Sequence, residues 1–224
     1  MDEKKIEKCL RNCENGSCYE KIRGELADDM ICREHEIKDK RGMHLNEHTE
    51  LSYPNNATFS VSSTLSSNFS FDFRTLSEYG VLWFEGGFSQ SEENSDFLII
   101  FVDESKLYIG VNLGEDNSLK PISTNLTVSD NHWHTVEFRR KERKCELWTD
   151  GRKVLTIVTS PGNNTLDTNG IAYLGGPKKH RQLKSLGLIT KFVGCVRNLK
   201  IFGSPVNLLI DSLTNIRQPN YCHN

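Results

Sequence analysis

The sequence predicts an all-β protein, a sandwich or a barrel built from many short strands. Residues 69–73 carry three phenylalanines at alternate positions, the period of a strand with one buried face. The apolar runs at 80–84 and 97–102 are short, as in strands that are covered on both faces. Because no strong helical pattern accompanies them, an α/β arrangement is not favoured.

Strand-like segments follow one another from Gly42 to the C-terminal region. Turn residues separate them, and Asp150-Gly151 has the composition of a two-residue hairpin turn. The predicted strands are 59–61, 69–73, 80–84, 97–102, 107–111, 133–138, 146–149, 154–158, 171–174 and 196–202.

The first 40 residues have a different composition. They are highly charged, and residues 19–40 have weak helical character without a clean apolar stripe. A segment so poor in apolar residues needs cross-links to hold a shape. Four of the seven cysteines lie here, and they could form disulfides or a zinc site, although no Cys-x2-Cys pair is present. We therefore expect a cysteine-rich cap at 1–40 and a β-domain at 41–224.

Composition narrows the class of protein. The chain has 224 residues, 36% hydrophobic and 26% charged, which is typical of a soluble globular protein. The net charge of −2 argues against a nucleic-acid-binding protein, and no apolar run is long enough to span a bilayer. The charged N-terminus does not resemble a signal peptide, so we expect a piece of a longer secreted or membrane-anchored protein.

Five triplets fit the N-glycosylation sequon, and they favour an extracellular location. Because the chain is rich in Asn, Ser and Thr, some of these triplets are expected by chance. Sites that are used would mark exposed positions. The acceptor residues are Asn15, Asn56, Asn68, Asn125 and Asn163.

Seven short motifs occur in an order that resembles one family. They are GVLWF at 80–84, SDFL at 95–98, VNLG at 111–114, NHWH at 131–134, LWTDG at 147–151, AYLGG at 172–176 and GCVRNL at 194–199. Together they resemble the laminin G-like domain family over about residues 42–222. The resemblance implies a jelly-roll β-sandwich of two curved antiparallel sheets.

The resemblance also implies a disulfide between Cys195 and Cys222. Closing a loop of this size is worth about 3–4 kcal/mol in the chain-entropy model. Cys145 stands alone in the middle of the chain, and it could be a buried free thiol or a bridge partner.

The N-terminal cysteines resemble part of an EGF-like module, through CENGSCY at 13–19. That family would pair Cys9 with Cys18 and Cys13 with Cys32. The last two cysteines of the EGF-like pattern are absent, so the cap is a degenerate version of the module.

Many laminin G-like domains hold a calcium ion at one rim of the sandwich. The resemblance places its carboxylate ligands at Asp96 and Asp167, and its carbonyl ligands at Leu113 and Thr165. Calcium prefers such hard oxygen donors. The alternative is that both aspartates are ordinary strand-end and turn residues.

A basic segment after the turn at 175–176 is a candidate glycan-binding surface. Clustered Lys and Arg bind sulfated or uronic-acid glycans through charge-assisted contacts. The candidate residues are Lys178, Lys179, Arg181 and Lys184, and residues 139–144 form a second basic cluster. Such segments are also common as solvated surface.

The predicted function is an extracellular adhesion or matrix recognition module that binds protein or acidic glycan ligands, with calcium as its expected cofactor. No catalytic motif is present, so we do not expect an enzyme. His132 and His134 could form a metal pair, but we expect a structural strand whose Trp133 packs in the core. Alternative functions are a carrier of steroid-like molecules and a glycan-active enzyme.

Overall fold

The structure is a computed structural model. It describes residues 16–23, 26–34, 42–87, 96–114, 121–178, 183–184, 187–188, 191–214 and 220–222, and only the backbone of those before residue 42. The chain divides into two compact units, Met1–Lys40 and Arg41–Asn224. Within the described residues, no helix has the length and apolar character needed to cross a membrane.

The first unit contains an antiparallel hairpin of β1 (Gly16–Arg23) and β2 (Leu26–Glu34). The weak helical character of residues 19–40 therefore does not produce a helix in these strands, because a helix there would have no apolar stripe to bury. Cys18 and Cys32 are opposite each other in the backbone register. Cys9, Cys13 and Asn15 lie outside the described residues, so both proposed pairings and the zinc alternative stay predictions.

The second unit is a sandwich of two large antiparallel sheets. The six-stranded sheet contains β4 (Leu51–Pro54), β7 (Gly80–Gly86), β8 (Phe97–Asp103), β9 (Lys106–Asn112), β10 (Ile122–Thr127) and β15 (Ile171–Leu174). Its strand order is β10-β9-β8-β7-β15-β4.

The opposing sheet has eight strands. They are β3 (Met43–Leu45), β6 (Ser66–Arg74), β11 (His134–Lys141), β12 (Lys144–Thr149), β13 (Arg152–Val158), β16 (Gly194–Ile201), β17 (Ser204–Pro205) and β18 (Asn220–Tyr221). The order is β13-β12-β11-β6-β16-β3-β18, with β17 beside β16. A separate pair is formed by β5 (Ser63–Thr64) and β14 (Leu166–Asp167).

The main core lies between the two sheets. Phe69, Phe71 and Phe73 all face inward from β6, as their alternation predicts. Trp83 of β7 stacks on Phe69 with ring centroids 3.9 Å apart. A smaller apolar cluster covers the outer face of the six-stranded sheet, where Leu183 packs, which explains why every residue of β7 is buried. The predicted β-sandwich of antiparallel sheets is confirmed.

The sandwich contains one disulfide and one buried thiol among its described cysteines. Cys195 in β16 and Cys222 after β18 form a disulfide, the pair that the resemblance implies, with Cα atoms 6.1 Å apart. Cys145 is a free, buried thiol in β12, and burial raises its pKa to about 12. At neutral pH this thiol is therefore protonated and unreactive.

Trp133 is not in the core, contrary to the expectation from sequence. It lies on the outer face of the eight-stranded sheet, with the Arg197 guanidinium 4.0 Å and the Arg74 guanidinium 5.0 Å from its ring. Val136 and Phe138 point inward, and the period of two then directs the side chain at position 133 outward.

Candidate functional site

The four residues predicted to bind calcium meet at one end of the sandwich. Asp96 precedes Phe97, which pairs with Asn112, so Asp96 lies opposite Leu113. The backbone N–H of Asp167 donates a 2.7 Å hydrogen bond to Oδ2 of Asp96. Thr165 precedes Asp167 by two residues. We call this end the acidic rim, defined by Asp96, Leu113, Thr165 and Asp167.

The two carboxylates of the acidic rim differ in environment. Asp96 is buried and Asp167 is exposed. Burial raises the pKa of Asp96 to about 6, while the N–H of Asp167 favours its ionised form. The rim therefore combines one sheltered carboxylate with one that is open to solvent.

The chemistry of these donors fits calcium. Two carboxylates and two main-chain carbonyls are hard oxygen ligands, and water commonly completes such sites. Among the described residues, no three His, Cys, Asp or Glu side chains come together as a metal site. Any ion at the rim would therefore depend on the carbonyls as much as on the carboxylates.

Arg140 is a buried cation beside the acidic rim, and it is 3% exposed. Its side chain points inward from β11, in phase with Phe138. Its charge acts on both Asp96 and Asp167, and it lowers the pKa of Asp96 against the larger effect of burial. In sequence Arg140 belongs to the basic cluster at 139–144, but the alternation of β11 turns its side chain inward, away from the other cations of that cluster.

Glu85 is a second buried charged residue that sequence analysis missed. It lies in β7 and is 3% exposed, and its Oε1 accepts a 3.0 Å hydrogen bond from Nε1 of Trp83. Burial raises the pKa of Glu85 to about 7. Since its carboxyl group is enclosed, Glu85 cannot contact a ligand at the surface.

The predicted glycan-binding segment is only partly described. Lys178 and Lys184 are exposed, while Lys179 and Arg181 lie outside the described residues. The backbone N–H of Lys178 donates a 2.6 Å hydrogen bond to Oε2 of Glu50, which fixes the start of this segment.

This segment and the acidic rim lie at opposite ends of the six-stranded sheet. Leu174 pairs with Trp83 in the middle of β7. Gly176, two residues further on, lies beside Val81 near the start of β7, just before the segment begins. The rim lies beyond Gly86, the last residue of β7 and the partner of Phe97. The intervening length of strand is about 20 Å at the usual rise per residue.

The second basic cluster, by contrast, lies beside the rim. Residues 142–143 connect β11 to β12, and we call this connection together with the paired strand ends Lys141 and Lys144 the basic turn. The carbonyls of Glu142 and Asn164 both accept from Nη1 of Arg140, at 3.0 and 3.3 Å, so they lie within about 6 Å of each other. Because Asn164 precedes Thr165, the turn borders the rim. Its cations are Lys141, Arg143 and Lys144.

Comparison with known proteins identifies the family. The family model for the laminin G domain matches residues 73–204. The chain belongs to the laminin G domain family. A similar relative is the human protein eyes shut homolog, 33% identical over 150 residues, covering 65% of this chain and 4% of that protein. Zebrafish neurexin-3a is 31% identical over 150 residues, 60% of this chain and 9% of that protein.

A solved laminin structure has the same fold. The mouse laminin alpha1 chain, domains LG4-5, aligns with a TM-score of 0.67 at 21% identity, over 81% of this chain and 46% of that one. This laminin G domain thus spans a small part of each curated relative.

The sequons of this laminin G domain differ in exposure. Asn125 is exposed on the edge strand β10, and Asn56, Asn68 and Asn163 are half-buried. Oδ1 of Asn163 accepts a 3.0 Å hydrogen bond from the Thr165 hydroxyl, next to the acidic rim. A glycan on Asn163 would therefore border the rim.

The two histidines considered as a metal pair have different surroundings. His134 is held between Asp150 and Asp130, with N···O distances of 2.9 and 3.1 Å. The His132 side chain is 80% exposed, and its Nδ1 lies 3.4 Å from Oδ2 of Asp130. Both nitrogens of His134 are engaged by carboxylates, an arrangement that favours imidazolium over a metal ligand.

Proposed function

We propose that this laminin G domain is an extracellular recognition module that binds an acidic glycan at the acidic rim, with calcium and the basic turn as its two sources of positive charge. The convergence of Asp96, Leu113, Thr165 and Asp167 beside residues 141–144 carries the proposal. The disulfide and the sequons support placement outside the cell, in a matrix protein or a membrane-anchored ectodomain.

Four residues would hold the ion. Asp96 and Asp167 would supply carboxylate oxygens, and Leu113 and Thr165 main-chain carbonyls. Bound calcium would present a positive charge to carboxylate or sulfate groups of a ligand. Since two carboxylates neutralise the ion only partly and Arg140 adds a nearby positive charge, we expect a Kd of about 10⁻⁴–10⁻³ M, the range of extracellular modules.

The basic turn would contact the same ligand. Lys141 and Lys144 are exposed at the end of the sandwich that carries the rim. Lys178, Lys179, Arg181 and Lys184 would form a separate basic surface, because their segment starts at the other end. A protein ligand with an acidic segment would contact the same two positive charges, the calcium ion and the basic turn.

The alternative functions have less support from the described side chains. Trp83 and the phenylalanines of β6 fill the space between the sheets, where a steroid-like molecule would bind in a carrier. Glu85 is enclosed, so it could not serve as the acid of a glycan-cleaving enzyme. Binding without catalysis is therefore the proposed activity.

The experiment is binding to immobilised heparin, with calcium and with EGTA. Four proteins are compared: wild type, Asp96→Asn with Asp167→Asn, a basic-turn variant with Lys141, Arg143 and Lys144 changed to Gln, and a control with Lys178 and Lys184 changed to Gln. We expect EGTA and the first two variants to weaken binding, and the control to retain it. Loss of binding in the control alone would move the site to the other end and reject the rim.

A further inference from the structure

Arg140 places a positive charge inside the domain and forms no direct ion pair with any side chain that the structure describes. It is 3% exposed, and its five hydrogen bonds to described residues all go to neutral oxygen atoms. A buried charge costs free energy unless several well-placed partners surround it. The identity of those partners therefore indicates what the side chain does.

The guanidinium group joins chain segments that are far apart in sequence. Nη2 donates to both the carbonyl and the hydroxyl oxygen of Thr64, each at 2.8 Å. Nη1 donates to the carbonyl of Asn164 at 3.3 Å, and Nε to the hydroxyl of Ser67 at 3.3 Å. Because Thr64 lies in β5 and Asn164 comes shortly before β14, Arg140 holds both sides of this small strand pair.

The β5–β14 ladder is short, although Leu166 is buried in the core and the N–H of Asp167 also bonds Asp96. Its register contains only Leu166 opposite Thr64 and Asp167 opposite Ser63. One more backbone bond follows, from the N–H of Thr168 to the carbonyl of Ser62 at 2.7 Å. A ladder of this length is not stable alone, so its position depends on what it is attached to.

We propose that Arg140 is the positioning residue of the acidic rim, an inference that rests on the calcium site proposed above. Thr165 and Asp167, two of the four calcium-binding residues, belong to the segment that Arg140 attaches to β11. The fork of donors on a planar guanidinium can reach Thr64, Asn164 and Ser67 together, whereas a lysine ammonium presents one point charge. Arg140→Lys therefore keeps the charge and loses the attachment.

The first test is hydrogen exchange in EGTA, which needs no calcium. In Arg140→Lys, the amides of Asp167 and Thr168 are expected to exchange about tenfold faster than in wild type. The amide of Ile99 in β8 is expected to keep its protection, which shows that the sandwich remains folded. Arg139→Lys is the matched control, because Arg139 contacts Glu137 and Trp148 on the outer face instead.

The second test is a calcium titration of the same proteins by calorimetry. Arg140→Lys is expected to raise the calcium Kd at least about fivefold, and Arg139→Lys to leave it unchanged.

Thr64→Val removes one acceptor of Arg140, the Thr64 hydroxyl, and keeps the carbonyl. We expect it to raise hydrogen exchange at the amide of Asp167 about threefold.

The outcomes separate this inference from the calcium site itself. Unchanged exchange at Asp167 and Thr168 in Arg140→Lys would refute the positioning role. Faster exchange with an unchanged Kd would show that Arg140 only stabilises the fold, and would also overturn the proposal. Absence of calcium binding by the wild type would reject the rim as a calcium site, while exchange would still decide whether Arg140 orders β14.

Discussion

Glu85 faces the space between the two sheets, where apolar side chains are the rule. It accepts a hydrogen bond from Nε1 of Trp83, and the side chain of Asn55 gives it a second partner. These partners and the charge of Arg140 favour the ionised form, yet burial outweighs them and raises its pKa to about 7. We therefore expect Glu85 to titrate near neutral pH.

Glu85→Gln is expected to stabilise the domain at high pH and to have little effect at low pH. Between pH 4.5, the ordinary pKa of a glutamate, and about 7, the folded state binds more protons at this site than the unfolded state, so stability falls as pH rises. A glutamine stays neutral and can still accept from Trp83. The gain above pH 8 should approach about 3 kcal/mol.

Urea unfolding at pH 5 and at pH 8.5 measures this difference. Leu82→Val, an apolar change on the same strand, is the control and should cost the same at both values of pH. An equal effect of Glu85→Gln at both would contradict the assigned titration.

At the scale of elements, the strands were predictable from sequence wherever alternation or turn chemistry was strong. Asp150 and Gly151 both adopt positive φ, 52° and 74°, as a tight hairpin turn requires. The turn from β8 to β9 uses Glu104 and Ser105 with φ of 46° and 64°, and neither residue type favours positive φ.

Only part of the candidate site could be predicted from the sequence. The family resemblance supplied Asp96 and Asp167, and the structure brings them together. Arg140 was missed because its neighbours are also basic, so its charge looked like surface, although the period of β11 directs it inward. Glu85 was missed because a buried carboxyl group depends on partners that only the folded chain assembles.

The disulfide of this domain acts on its last strand. Among the described strands, β18 pairs with β3 alone, through Asn220 and Tyr221, and the backbone N–H of Cys222 donates to the carbonyl of Gly42. Replacing both Cys195 and Cys222 by Ala is expected to lower the free energy of unfolding by about 3 kcal/mol. Amides of β18 should lose protection, while those of β8 keep theirs.

Chemical denaturation with hydrogen exchange measures both effects. Cys145→Ala, which removes a buried thiol without breaking a bridge, is a comparison for the loss of packing alone. A double variant that unfolds at the same denaturant concentration as wild type would show that the bridge does not stabilise the fold.

At the scale of the whole molecule, the two ends of the sandwich carry different chemistry. The rim end combines Asp96 and Asp167 with the basic turn, and the other end carries Lys178 bonded to Glu50. A single ion or sugar unit cannot reach both, because a full strand of β7 separates them. Calcium would therefore change the affinity for a ligand at the rim end only. Its effect on the whole domain should appear as a higher free energy of unfolding.

Calcium is expected to stabilise the folded domain through mass action, since the unfolded chain has no rim. With a Kd near 10⁻³ M, calcium at about 10 mM should add about 1–2 kcal/mol and raise Tm by about 3–6 °C. Asp96→Asn should abolish this increment, yet its amide oxygen can still accept the N–H of Asp167, so its Tm in EGTA should not fall. Thermal unfolding of both proteins with calcium, magnesium or EGTA measures the difference. A two-carboxylate oxygen site that loses one carboxylate loses most of its attraction for the ion. An equal increase in Tm from calcium in the variant would therefore place the stabilising ion away from the rim. An equal increase from magnesium in the wild type would lead to the same conclusion.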